Sequence, residues 1–127
     1  MVPPTVTHQE KSVTVKNGKP VFFENQRLKA ARSEFVAALA LHKPERPLKG
    51  AIQLLTKWCF YDSRITEPRY KVTKPDTDNS IKLLKDCMTR VGFWADDAQV
   101  ASEITEKFLV PNRPGIYIFA KELDDEN

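Results

Sequence analysis

At 127 residues the chain has room for one domain, and a hydrophobic fraction of 41% with 29% charged residues is ordinary for a globular protein. No apolar run approaches the roughly 18 residues of a membrane-spanning helix, no N-terminal signal pattern is visible, and two histidines with two unclustered cysteines exclude a zinc site of the Cys/His type. The net charge of +3 is unevenly spread: residues 1–75 hold 14 Lys and Arg against 6 Asp and Glu, and residues 76–127 hold 6 against 11. Four of those late acids belong to the tail after Lys121. The rest concentrate in one stretch, so basic arms surround an acidic centre. That arrangement suits an enzyme that draws a polyanion to a bound cation.

Residues Val2–Gln9 are proline-rich and polar and read as an extended arm, with Thr5, Thr7, His8 and Gln9 as candidate phosphate contacts. Lys11–Phe23 reads as a β-hairpin turning at Asn17-Gly18, the pair that best tolerates a type I′ turn. Pro20 cannot donate to a ladder, which predicts an edge strand. Lys11, Lys16 and Lys19 make the hairpin either a DNA-contacting finger or an edge guarded against aggregation. Asn25–His42 is predicted to be a helix capped by Asn25, with Leu28, Ala31, Phe35, Val36 and Leu39 as its apolar stripe. Pro44 and Pro47 then force a loop.

Ala51–Tyr61 is the clearest strand. Ile52, Leu54, Thr56, Trp58 and Phe60 share one face, and Leu55 and Cys59 lie on the other, which predicts a central strand covered on both sides. Cys59 and Cys87 read as reduced core residues. Asp62–Pro75 is a long connection whose Arg64, Arg69, Lys71 and Lys74 either hold a substrate backbone or decorate a solvated loop. A second helix runs from about Asp78 to Val91 and ends at Gly92. Ile81, Leu84, Cys87, Met88 and Val91 form its seam, and Phe93 and Trp94 are expected to fold back beneath it. Val100–Leu109 and Ile116–Lys121 are the last strands, joined through Pro111–Gly115. The expected architecture is a mixed α/β (α+β) domain: hairpin, helix, strand, helix and a final strand pair, in one mixed sheet with helices packed on it.

Asp76, Asp78 and Asp97 are the candidate cation ligands, because Mg²⁺ takes hard oxygen donors and borrows only one or two carboxylates per ion. A helix between them is expected to let all three converge. Each also has a plainer explanation. Asp76 and Asp78 suit a helix N-terminus. Asp78 with Lys82 suits an i,i+4 ion pair. Asp96-Asp97 suits a polar turn.

The run Asp76-Thr77-Asp78-Asn79, then Lys82, then Gly92-Phe93-Trp94-Ala95-Asp96-Asp97-Ala98-Gln99-Val100 resembles the RusA-type Holliday junction resolvases. Pro3-Pro4 and the PNRPG turn fit the same family, so the resemblance covers nearly the whole chain. Family members have a first strand before the Pro-Pro loop, whereas this chain begins almost at it. The resemblance implies a cytoplasmic, homodimeric, Mg²⁺-dependent endonuclease, with Mn²⁺ as a substitute, that resolves four-way DNA junctions by paired nicks. It assigns metal binding to Asp76, Asp78 and Asp97 and the catalytic cation to Lys82. Asp96 is given a supporting role, and Asn79 that of orienting a carboxylate or a water. The contacts to branched DNA are expected from His8, Lys11, Lys16, Lys19, Arg64, Arg69, Lys71 and Lys74. A DNA-binding module of the same fold without turnover, and a nuclease for other branched DNA, are the competing readings.

Overall fold

The computed structural model describes residues 1–5, 11–16, 19–24 and 26–123; of residues 11–24 only the strand pairing is described. The Asn17-Gly18 turn, the Asn25 cap, His8, and the side chains of Lys11, Lys16 and Lys19 lie outside the described residues. Strand β1 (Lys11–Lys16) pairs antiparallel with β2 (Lys19–Glu24), in the register Lys16↔Lys19 that a two-residue loop requires. The hairpin forms its own two-stranded sheet and is not part of the larger one. The single sheet expected from the sequence is therefore two.

Helix α1 (Gln26–Ala40) buries Leu28, Ala31, Arg32, Phe35 and Leu39, the predicted stripe with Arg32 added and Val36 only half-buried. Strand β3 (Ile52–Tyr61) follows, with Ile52, Leu54, Thr56, Trp58 and Phe60 all buried. The short strand β4 (Arg69–Tyr70) interrupts the long connection. Helix α2 (Thr77–Val91) ends at Gly92, whose N–H donates to the carbonyls of Met88 and Thr89 and whose φ of 101° lets the next N–H, that of Phe93, also turn back to the Met88 carbonyl. Phe93 and Trp94 are buried as expected, and the Trp94 indole donates to Thr89 Oγ1 at 2.7 Å. A 3₁₀ turn (Asp97–Gln99) leads into β5 (Val100–Val110), and β6 (Gly115–Glu122) closes the sheet.

The strand order is β4-β5-β3-β6. β5 runs parallel to β3 and β6 antiparallel to it. The two final strands therefore do not pair with each other, as the sequence suggested, but flank β3. Residues 111–114 carry the chain across the end of β3, a span of about 10 Å, and Arg113 adopts a left-handed φ of 48° there. Both helices pack on one face of the sheet. Phe35 meets Trp58 edge-to-face at 6.1 Å, and the buried Arg32 of α1 forms an ion pair with Asp86 of α2. Among the described residues no helix covers the other face. Leu55 and Cys59 are only half-buried there, and Tyr61, Ile104, Tyr117 and Phe119 stand exposed. The double-sided burial expected of β3 is thus one-sided.

Both cysteines are free thiols. Cys87 lies in the core between the helices, and burial pushes its thiol up to about 11; Cys59 is on the open face and is raised less. In the folded protein at pH 8, Cys87 is expected to resist a thiol reagent and to react only in denaturant; rapid labelling without denaturant would mean that the α1–α2 contact opens. The two sides of α2 should also separate cleanly. Leu84 is fully buried, so Leu84→Ala should cost about 2–5 kcal/mol in urea unfolding. Lys82 is exposed, and Lys82→Ala should stay within about 0.5 kcal/mol.

Candidate active site

Helix α2 is a rod of 15 residues, roughly 22 Å long. Two side-chain ties fix its direction. Lys107 of β5 donates to the Pro75 carbonyl at 2.8 Å, just before the helix begins, and Lys85 in mid-helix pairs with Glu103 of β5 at 2.8 Å. The helix therefore runs antiparallel to β5. Asp76, Asp78, Asn79 and Lys82 sit at its first turns. Asp96 and Asp97 sit beyond its last turn, where β5 starts.

The carboxylates at the first end make no side-chain hydrogen bond or ion pair among the described residues. Asp76 occupies the N-cap position, with extended backbone and its carbonyl accepting from the Ser80 N–H, yet its side chain makes no capping hydrogen bond. Asp78 and Lys82 are both exposed and form no ion pair with each other or with any other described residue. Among the described residues a side-chain cap by Asp76 and an i,i+4 pair of Asp78 with Lys82 are thus both absent, while Asp78 does lie in the first turn, where the helix dipole favours an acid. Asn79 is half-buried between them.

The second end divides its labour. Asp96 caps the 3₁₀ turn, with Oδ1 accepting from the Ala98 N–H at 2.9 Å. Gln99 reaches back so that its Oε1 accepts from the N–H groups of Ala95 and Asp96, and its Nε2 donates to the carbonyls of Leu48 and Gly50. This turn is locked, and it presents the exposed Asp97, whose carboxylate has no hydrogen bond or ion pair among the described residues. Asp96 is a structural cap; Asp97 is an acid held out on a rigid turn. Gln99, to which the sequence motif assigned no role, is what holds the turn.

The expected convergence does not occur within one chain. A straight helix keeps its ends a helix-length apart, and no group of three or more His, Cys, Asp or Glu side chains gathers closely enough to hold a metal ion among the described residues. The partnerless pair Asp76 and Asp78 fits a hard divalent cation, which needs only one or two carboxylates and completes its shell with water and phosphate oxygens. Asp97 is not part of that pair.

The basic loop beside the first end is partly tied up. Arg64 forms a two-pronged pair with Asp62, at 3.0 Å for both contacts, and this holds the Asp62 carboxyl down at about 2. Lys71 lies 5.4 Å from the centre of the Phe60 ring and reaches Thr73 Oγ1. Arg69 and Lys74 are exposed. Arg64, Arg69 and Thr73 line one cleft of about 460 Å³ with Tyr70 and Leu109, next to the segment that enters α2. A second cleft of about 430 Å³, between the end of α1 and β6, is apolar and holds no carboxylate. Its Leu48 and Phe93 lie beside the Asp96–Gln99 turn, at the opposite end of α2 from Asp76 and Asp78.

The family model described as Endodeoxyribonuclease RusA matches residues 2–120. The chain is also 25% identical over 123 residues to a protein named crossover junction endodeoxyribonuclease rusA from Lactococcus phage r1t, an alignment covering 94% of this chain and 81% of that protein. Since the family match runs unbroken from the Pro-Pro segment into β6 and takes in both ends of α2, this chain belongs to the RusA endodeoxyribonuclease family.

Proposed function

We propose that this protein is a divalent-metal-dependent endodeoxyribonuclease that resolves four-way DNA junctions by paired nicks, acting as a homodimer. The observation that carries this reading is the set of three exposed carboxylates without a side-chain partner among the described residues, Asp76, Asp78 and Asp97, with Lys82 one turn into the helix. Family membership supports cleavage of DNA, and the name of the phage relative supports the junction as substrate. The excess of base over residues 1–75 supports a polyanionic partner.

Asp76 and Asp78 would hold Mg²⁺, or Mn²⁺ in its place, and Asn79 would orient one carboxylate or a water beside them. The bound cation would supply polarisation of the scissile phosphate and a lowered pKa for the attacking water. Lys82 would neutralise charge that builds on the phosphate as the bond breaks. Arg69 and Lys74 would hold the backbone on the side of the cleft, with Arg64 and Lys71 anchoring the loop that carries them. The part of Asp97 follows from its distance. Since the helix keeps it from its own chain's acid pair, a second copy would have to bring its Asp97 to that pair, and a two-fold axis would make two such sites. Two equivalent sites match the two-fold symmetry of a four-way junction.

The decisive experiment uses a labelled synthetic junction with Mg²⁺ or EDTA. Wild type should nick two strands symmetrically only with Mg²⁺, and Asp76→Asn and Asp78→Asn should lose cleavage by at least about 100-fold while still binding. Binding without nicking by the wild type would instead favour an inert module, and equal cleavage of flaps would favour a broader branched-DNA nuclease. A mixing test addresses the shared site. Asp78→Asn and Asp97→Asn should each be inactive alone, yet co-refolded together they should regain single-strand nicking, because one of the two sites in the mixed dimer keeps all its acids. No recovery on mixing would place all three acids of a working site in one chain.

A further inference from the structure

The sequence pattern gives no role to Lys107, yet in the fold it is the residue on which the acid pair rests. Register pairs Glu103, Thr105, Lys107 and Leu109 with Leu54, Thr56, Trp58 and Phe60, so Lys107 stands beside Trp58 on the helix-covered face of the sheet. It is only half-exposed, and its ammonium has no carboxylate partner among the described residues. Instead it donates to two backbone carbonyls, those of Thr73 and Pro75, at 2.5 and 2.8 Å. Its own carbonyl accepts from the Lys71 N–H at 3.0 Å. The three contacts clamp residues 71–75 against β5. The next residue is Asp76, and two further on is Asp78.

A methionine would fill that space without taking a charge partly out of water, a costly step for an unpaired ammonium. What a methionine would not do is hold two carbonyls in place. We infer that Lys107 is a positioning residue for the nuclease reaction: by clamping the carbonyls of Thr73 and Pro75 it sets the backbone from which Asp76 and Asp78 present their carboxylates to the cation. This rests on the reading of that pair as the cation site. Two effects of Lys107 oppose each other there. Its positive charge, at a distance and near solvent, weakens cation binding by a few-fold at most. Its clamp prevents displacements of the order of 1 Å, which cost about 100-fold in rate where reacting groups must align. Positioning outweighs repulsion, and the net sign of its removal is loss.

The test compares Lys107→Met with Lys85→Met, which cuts the neighbouring tie to Glu103 but leaves the loop clamped. Mg²⁺ is titrated into each free protein, and the backbone amide resonances of Asp76 and Asp78 are followed by NMR. In Lys107→Met the half-saturating Mg²⁺ should rise about tenfold and junction cleavage should fall about 100-fold, with junction affinity within about twofold of wild type. Lys85→Met should melt earlier but titrate and cleave like wild type. Lys107→Arg, which restores two donors, should recover most of the rate. If Lys107→Met does not fold, Lys107→Gln, neutral and too short to reach both carbonyls, should show the same loss. A Lys107 variant that titrates and cleaves like wild type, or that loses activity only in step with its melting temperature, would overturn the assignment. Absence of any Mg²⁺ response at Asp76 and Asp78 in the wild type would instead strike the reading of the acid pair itself.

Discussion

A helix cannot fold back on itself, and α2 lies antiparallel along β5. Its rise of about 1.5 Å per residue separates what its sequence motif joins. Asp76 and Asp78 enter it, Asp97 follows it, and the contacts of Lys107 and Lys85 with their partners show how the rod lies along the strand. The other features of the candidate site take their meaning from that lay. The first end carries a carboxylate pair and Lys82, and the second end carries a single acid on a turn locked by Asp96 and Gln99. Both faces of the helix are therefore committed. One is buried through Ile81, Leu84, Cys87 and Met88, and the other shows Asp78 and Lys82 to solvent.

The division between structural and unspent acids is the more informative property of the site. An aspartate at a helix start is ordinarily explained by capping. Here Asp96 meets that description and Asp76 does not, although both occupy the cap position of their helix. A carboxylate left without a hydrogen-bond donor at the mouth of a helix, next to a second one, has its lone pairs available for a ligand. The same logic separates the basic residues. Arg64 spends its guanidinium on Asp62, and Lys71 leans over Phe60, so their charges serve the shape of the loop as well as any polyanion that approaches it.

Much of this was legible along the chain. The hairpin, both helices, the central strand and the last two strands follow from local signals: the alternation on β3, the apolar seam of α2, the glycine after its last turn. These depend on periodicity and on φ preference, which are properties of neighbouring residues. The motif spacing that marks the family likewise lies along the chain. Three expectations about the architecture failed, and like the expected convergence of the acids they concern what happens between distant segments. The hairpin stands apart from the main sheet. The final strands flank β3 in place of pairing together. One sheet face is left uncovered by helices, with Tyr117 and Phe119 exposed on it.

By itself, then, the sequence determined the elements, the polarity of their faces and the identity of the acids, because each is written in residues a few positions apart. Only the tertiary structure decided which of those acids stand together. Asp76 and Asp78 share a helix end, while Asp97 lies beyond the other, since α2 runs antiparallel to β5, as contacts between partners 18 and 32 residues apart in sequence show. The role of Lys107 had the same origin. Nothing in its neighbours along β5 distinguishes it from any lysine on a strand; its meaning comes from two carbonyls that the fold brings to its ammonium.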